Sequence, residues 1–171
     1  MQIKNISKLL IAPPYKNTIK LATILAVVMV VFNTTLDVLG LQSSGREVDL
    51  SVGWSVLILA VIIAPIIETF IYQLLVITIA KSWKLSDKIS VSISALVFSY
   101  VHFINTKISI YMFIEMLPFA GFGYVLGWVY LINKQRAGIR GGFVSTALLH
   151  ALYNGILFTI ASGLLWLAEM I

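Results

Sequence analysis

Long apolar runs separated by short polar breaks dominate the chain. They fall at roughly 18–39, 52–80, 89–104, 110–131 and 142–168. Each approaches the roughly 20 residues an α-helix needs to cross a hydrocarbon core about 30 Å thick. The breaks are a polar segment at 41–51, a basic one at 81–88 (KSWKLSDK), a short turn at 105–109 and a second basic one at 133–141 (NKQRAGIRG). The pattern predicts an all-α, polytopic transmembrane helix bundle with about five spans, forming a single membrane domain over residues 1–171. The 52–80 run is longer than one span requires and contains Pro65, which predicts a tilted or kinked helix. Splitting it would give two helices of about 14 residues, too short to cross. Near the N-terminus, Ile3, Ile6, Leu9 and Leu10 share a helical face opposite Lys4 and Lys8. That is the pattern of a short interfacial helix, with a frayed tail as the alternative. Pro13-Pro14 interrupts this region and no small-residue cleavage site follows, so it does not read as a signal peptide.

Composition and charge sharpen the assignment. Only 11% of the residues are charged and 60% are hydrophobic, against about 25% charged in a soluble domain; lipid is the implied solvent and partner. The net charge is +5, but the basic residues flank the apolar runs, which points to membrane topology and away from nucleic acid. With the N-terminus cytosolic and the C-terminus outside, Lys4, Lys8, Lys16, Lys20, Lys81, Lys84, Lys88, Lys134, Arg136 and Arg140 all face the cytosol, and Arg46 and Lys107 face away. One orientation thus satisfies the positive-inside rule at every loop, as expected of an integral protein of the cell membrane. The chain has no cysteine, which excludes disulfides and thiolate metal sites.

Ionisable groups inside a span are costly and mark function by default. Glu68, His102 and His150 are the candidates here, with Asn154 one turn beyond His150. Asp37, Glu115 and Glu169 sit nearer the outer span ends and are expected at the interface. At 1.5 Å per residue, Glu68 lies about 18 Å from the cytosolic end of its span, His102 about 20 Å, and His150 and Asn154 about 12 and 18 Å. Three helices thus bring a carboxylate, two imidazoles and an amide to similar depth. Singly, each is also a common helix–helix hydrogen-bond partner; their convergence is what favours a site. A carboxylate beside an imidazole is able to deprotonate water, and an amide with a second imidazole is able to donate to an oxyanion. Alternatively, Glu68, His102 and His150 form a facial ligand set for a metal, zinc being one candidate, with a position open for water. Neither a Gly-x-Ser-x-Gly elbow nor a His-Glu-x-x-His motif is present. Tyr72, one turn past Glu68, and Phe98, one turn before His102, are expected on the cavity wall.

These residues fall in the order of a known motif set. The chain resembles the CPBP family, which includes type II CAAX prenyl proteases and bacteriocin-processing or self-immunity proteins, with Glu-Glu-x-x-x-Arg, Phe-x-x-x-His and His-x-x-x-Asn/Asp on successive membrane helices. Phe98–His102 and His150–Asn154 match the second and third motifs; Glu68 fills the first glutamate, while Thr69 and Gln73 stand where the family has its second glutamate and its arginine. The glycine-rich run Gly121-Phe122-Gly123-Tyr124-Val125-Leu126-Gly127 also looks like the family's. The resemblance covers roughly residues 52–158. It implies an intramembrane endopeptidase in which Glu68 and His102 activate water and His150 and Asn154 form the oxyanion site. It also implies a peptide or prenylated-peptide substrate, as in CAAX-type C-terminal processing, under either a metal-free or a metal-dependent mechanism.

The reading is therefore an intramembrane peptidase. Its rival is a non-catalytic immunity or scaffold protein of the same family. A proton-coupled carrier is less favoured, since no inverted repeat is present. The sequence fixes neither the substrate nor the oligomeric state.

Overall fold

The computed structural model describes residues 15–41, 54–168 and 170, and no strand occurs among them. The segment expected as an interfacial helix, most of the 41–51 loop, and Glu169 lie outside these residues. Helix α1 is Tyr15–Val38 and α2 is Trp54–Ser82. Helix α3 is Asp87–Val101, opened by a Ser86 N-cap that accepts from Ile89 N at 3.3 Å. From Ile110 to Ala168 the chain is helical except at Ala137 and Gly138. Gly138 has φ +70°, a conformation open to glycine, and here the chain reverses. Phe122 stacks on Tyr153 with ring centroids 3.8 Å apart, and a Cβ on Gly142 would lie 2.8 Å from Tyr130 O. The two arms, α4 (110–136) and α5 (139–168), are thus an antiparallel hairpin. The basic stretch at 133–141, expected as a loop, is helical apart from those two residues.

Among the described residues three stretches are long and apolar enough to cross a membrane: Asn17–Val38, Trp54–Ser82 and Ile110–Gly163, the last containing both α4 and most of α5. The fold is an all-α integral membrane bundle. Helix α3 ends three residues before the close of the span expected at 89–104: at 15 residues it is about 22 Å long, less than the roughly 30 Å of a hydrocarbon core. It ends at Val101 with His102 as its C-cap, and the following turn is closed by Phe103 N donating to Tyr100 O and Thr106 N donating to Phe103 O, both at 2.9 Å. Such a turn is tolerated at membrane depth where it is covered by protein or lines a cavity; Phe103 is buried and packs edge-on to Phe119.

Small residues set the helix spacing. On α4, a Cβ at Gly123 would come within 2.9 Å of Phe98 Cδ1 and 3.1 Å of Ala95 Cα, and one at Gly127 within 2.8 Å of Val91 Cγ1. Gly123 and Gly127 are one turn apart and let α3 and α4 approach closely. Hydroxyls tie α3 to its neighbours: Ser94 Oγ donates to Tyr72 O and Ser99 Oγ to Met116 O, each at 2.8 Å. The interior packs as two clusters: Ala22, Ala26, Met29, Phe98, Phe122, Leu126, Leu149 and Tyr153 belong to one and Ile77, Val91, Tyr130 and Leu131 to the other. Asp37, near the end of α1, is exposed. Glu115, expected at the interface, is 6% exposed. It shares the inward face of α4 with Met112, Phe122, Leu126 and Val129, spaced three or four residues apart.

Candidate active site

Glu68 sits at the centre of α2, in a helix that widens on both sides of it. Residues Leu59–Ile63 and Thr69–Val76 are π-helical, flanking an α-helical turn, Ala64–Glu68, that begins with Pro65. The backbone at Ile63, Ala64, Glu68 and Thr69 stays right-handed helical, so α2 runs unbroken through Pro65 with a widened turn on either side. Insertions of this kind cluster at functional sites. The widening has a consequence at Ala60. In π register Ala64 N–H donates to Leu59 O, and the next donor in line, Pro65, has no N–H. Ala60 O is left without an intrahelical partner, and Asn154 Nδ2 supplies one across the bundle from α5 at 2.9 Å.

The two histidines meet Glu68 from other helices. Glu68 Oε2 lies 3.5 Å from His150 Nε2 and 3.9 Å from His102 Nε2. The Glu68 and His102 side chains are 25% and 27% exposed and His150 3%, so water reaches the first two, and the third backs them from within. His102 Nδ1 lies 2.7 Å from Phe98 O, one turn back. A proton on Nδ1 satisfies that carbonyl and leaves the Nε2 lone pair facing Glu68. Phe98 wedges between the imidazoles, its ring 4.7 Å from His102 and 5.7 Å from His150.

Glu68, Phe98, His102, His150 and Asn154 all line one cavity of about 570 Å³, within the usual range for small-ligand sites. All four polar residues singled out in the sequence thus stand on one cavity wall. Tyr72 is a correction: it does not line this cavity. Its ring is buried edge-on behind Phe98 at 5.6 Å, because the space at the cavity wall is filled by Phe98 itself. Asn33 and Thr34 of α1, with Phe119 and Phe122 of α4, also line the cavity and were not singled out in the sequence. Asn33-Thr34-Thr35 is a polar interruption of the first apolar run, a signal by which Asn33 and Thr34 were findable.

The residue types suit zinc, but the arrangement is a poor match for a resident ion. Zinc-bound imidazoles are normally oriented by a hydrogen bond from the second ring nitrogen, whereas His150 Nδ1 is buried with no partner among the described residues. Among the described residues no group of three His, Cys, Asp or Glu side chains is arranged to hold a metal. Thr69 and Gln73 are fully buried and stand outside the cavity wall, and the Thr69 hydroxyl and both Gln73 amide atoms have no partner among the described residues.

A family model described as type II CAAX prenyl endopeptidase Rce1-like matches residues 50–167. The chain belongs to that family. No curated protein and no solved structure gave a match. Rce1-like proteins are membrane proteases, so this chain is by family a peptide hydrolase working in a lipid environment. The matched region takes in the helices carrying Glu68, His102, His150 and Asn154, whereas α1, with its share of the cavity wall, lies ahead of it.

Proposed function

We propose that this Rce1-like protein is an intramembrane endopeptidase in which Glu68 and His102 activate a water molecule and His150 and Asn154 stabilise the oxyanion. One observation carries the reading: a carboxylate and two imidazoles from three helices converge within 4 Å at mid-depth, on the wall of one cavity. The 3.9 Å gap between Glu68 and His102 is too long for a hydrogen bond and suits a water donating to both. As that water attacks the scissile carbonyl carbon, its proton passes to Glu68. The carbonyl oxygen becomes an oxyanion, and collapse of the tetrahedral intermediate breaks the C–N bond as Glu68 returns the proton to the leaving amine.

His150 has one productive tautomer. Its Nδ1 is enclosed with no partner, so a proton there would be wasted, while one on Nε2 points at Glu68 and the cavity. That Nε2–H is the first oxyanion donor. Asn154 Nδ2 carries two protons; one holds Ala60 O and the second is the other donor. No metal takes part. The excess of basic residues at one set of helix ends supports a place in the cell membrane with the N-terminus in the cytosol. The test is a digest of a pooled apolar peptide library by the purified protein in liposomes, read by mass spectrometry. Wild type should give defined internal cuts and His102→Ala none. A correctly folded wild type that cuts nothing in the pool, including farnesylated peptides, would favour a non-catalytic role.

A further inference from the structure

We infer that Asn33 of α1 is a substrate-binding residue: its carboxamide pairs with a backbone peptide unit of the substrate beside the scissile bond. The inference rests on the peptidase reading for the word substrate, and adds to it a contact from outside the family-matched region. That region begins at residue 50, whereas α1 is Tyr15–Val38. Helix α1 nevertheless supplies Met29, Val30, Asn33 and Thr34 to the cavity that holds Glu68 and both histidines. Its packing phase explains why Asn33 is there. Ala22, Ala26, Met29 and Leu36 are buried. With Asn33 they recur at intervals of four and three residues, the spacing of a helix face turned to its neighbours, and α1 packs on the α4–α5 hairpin. Of these five residues Asn33 is the one polar member and the only one left partly open.

The chemistry of an unwound peptide calls for such a group. A peptide carbonyl inside a helix is hydrogen-bonded and screened by the neighbouring turn, so the chain must be extended where it is cut. Each N–H and C=O freed in this way needs a partner in an apolar site, and the cavity has few to offer. Glu68, His102, His150 and Asn154 are committed to the reaction, and the Tyr153 hydroxyl is enclosed. Asn33 and Thr34 remain among the polar side chains of the wall. A threonine hydroxyl has a single proton to donate, and in this bundle Thr23, Thr35, Thr146 and Thr159 each give it to the carbonyl one turn back. A carboxamide has two donors and two acceptor lone pairs. A contact within the bundle therefore leaves Asn33 with capacity for the substrate, and its N–H and C=O match those of a peptide group.

The test uses the peptide that wild type cuts most efficiently in the apolar library, with a set of analogues in which one backbone N–H at a time near the cut is replaced by an ester oxygen. Asn33→Leu keeps the side-chain size and removes the amide; Asn33→Ala serves if the leucine variant does not fold. Loss of a contact made equally in the bound and transition states raises KM and leaves kcat nearly unchanged. KM for the parent peptide should rise roughly 2- to 10-fold for each hydrogen bond lost. One ester analogue should raise KM for wild type by a similar factor and make no further difference to the variant. Thr35→Val, on the same helix but outside the cavity wall, should leave KM unchanged. An unaltered KM in the Asn33 variants, a fall in kcat alone, or the same ester sensitivity with and without the amide overturns the inference while the peptidase reading stands. Absence of any cut by folded wild type overturns both.

Discussion

Replacing Gly123 by alanine tests how tightly the site is framed by helix packing. The added methyl would lie 2.9 Å from Phe98 Cδ1 and 3.1 Å from Ala95 Cα. A ring is able to rotate away, but the Ala95 contact is with backbone, so α3 and α4 must separate by a few tenths of an ångström or more. Overpacking of this kind costs about 1–3 kcal/mol, a shift of roughly 5- to 150-fold in the folding equilibrium at 1.4 kcal/mol per factor of ten. The helix-propensity gain of alanine over glycine, about 1 kcal/mol in water, works against that loss, and Gly121 controls for it. A Cβ on Gly121 meets nothing within 4 Å, so Gly121→Ala keeps the gain without the clash. Thermal unfolding in detergent micelles should therefore rank Gly121→Ala at or above wild type and Gly123→Ala clearly below it. Because the Phe98 ring also touches both imidazoles, Gly123→Ala should lose cleavage at temperatures where it is still folded. Equal midpoints for the two variants would refute the close approach of α3 and α4.

The other predictions concern the departures from the family pattern, the bridging amide and the metal. Thr69→Glu places an acid at a fully buried position and should destabilise the protein by several kcal/mol; adding Gln73→Arg one turn away should recover part of that loss, and equal stability of the single and double variants would show that the two positions are uncoupled. Asn154→Ala removes both the Ala60 contact and an oxyanion donor, with an expected stability loss near 0.6 kcal/mol, the average for an interhelical bond in a membrane, and a fall in turnover of roughly 10²-fold. Adding Pro65→Ala to that variant restores a backbone N–H able to serve Ala60 O, so unfolding should recover while turnover stays low; recovery of both would make Asn154 a structural bridge alone. Treatment with a strong chelator should leave the cleavage rate unchanged, and a loss reversed by added zinc would assign a metal mechanism.

Much of the site was legible because a membrane makes polar residues conspicuous. Glu68, His102 and His150 stand out in apolar runs, and counting residues along each span was enough to bring them to one depth. The two-residue break at Ala137–Gly138 was harder to see, since the surrounding charges suggested a longer loop although the backbone there remains helical. The end of α3 at Val101 was also missed. The apolar pattern continues through Phe103 and Ile104, but Phe103 is buried in a turn, where hydrophobicity reports packing against Phe119 and not helix length. The link from Asn154 to Ala60 had no one-dimensional signature: it depends on a π-widened register meeting a proline that lacks a donor. The burial of Glu115 was not legible because position along a span sets depth, whereas burial is decided by which face of α4 the residue occupies.

The central claim is that Glu68 is the base for hydrolysis in this cavity. The most direct measurement is the rate of peptide cleavage by Glu68→Gln, reconstituted in liposomes at the same protein content as wild type and with an unchanged unfolding midpoint. The amide is nearly the same size as the carboxylate and takes up no proton from water, so the account predicts folded protein with no detectable cleavage. Cleavage at or near the wild-type rate by that variant would contradict it.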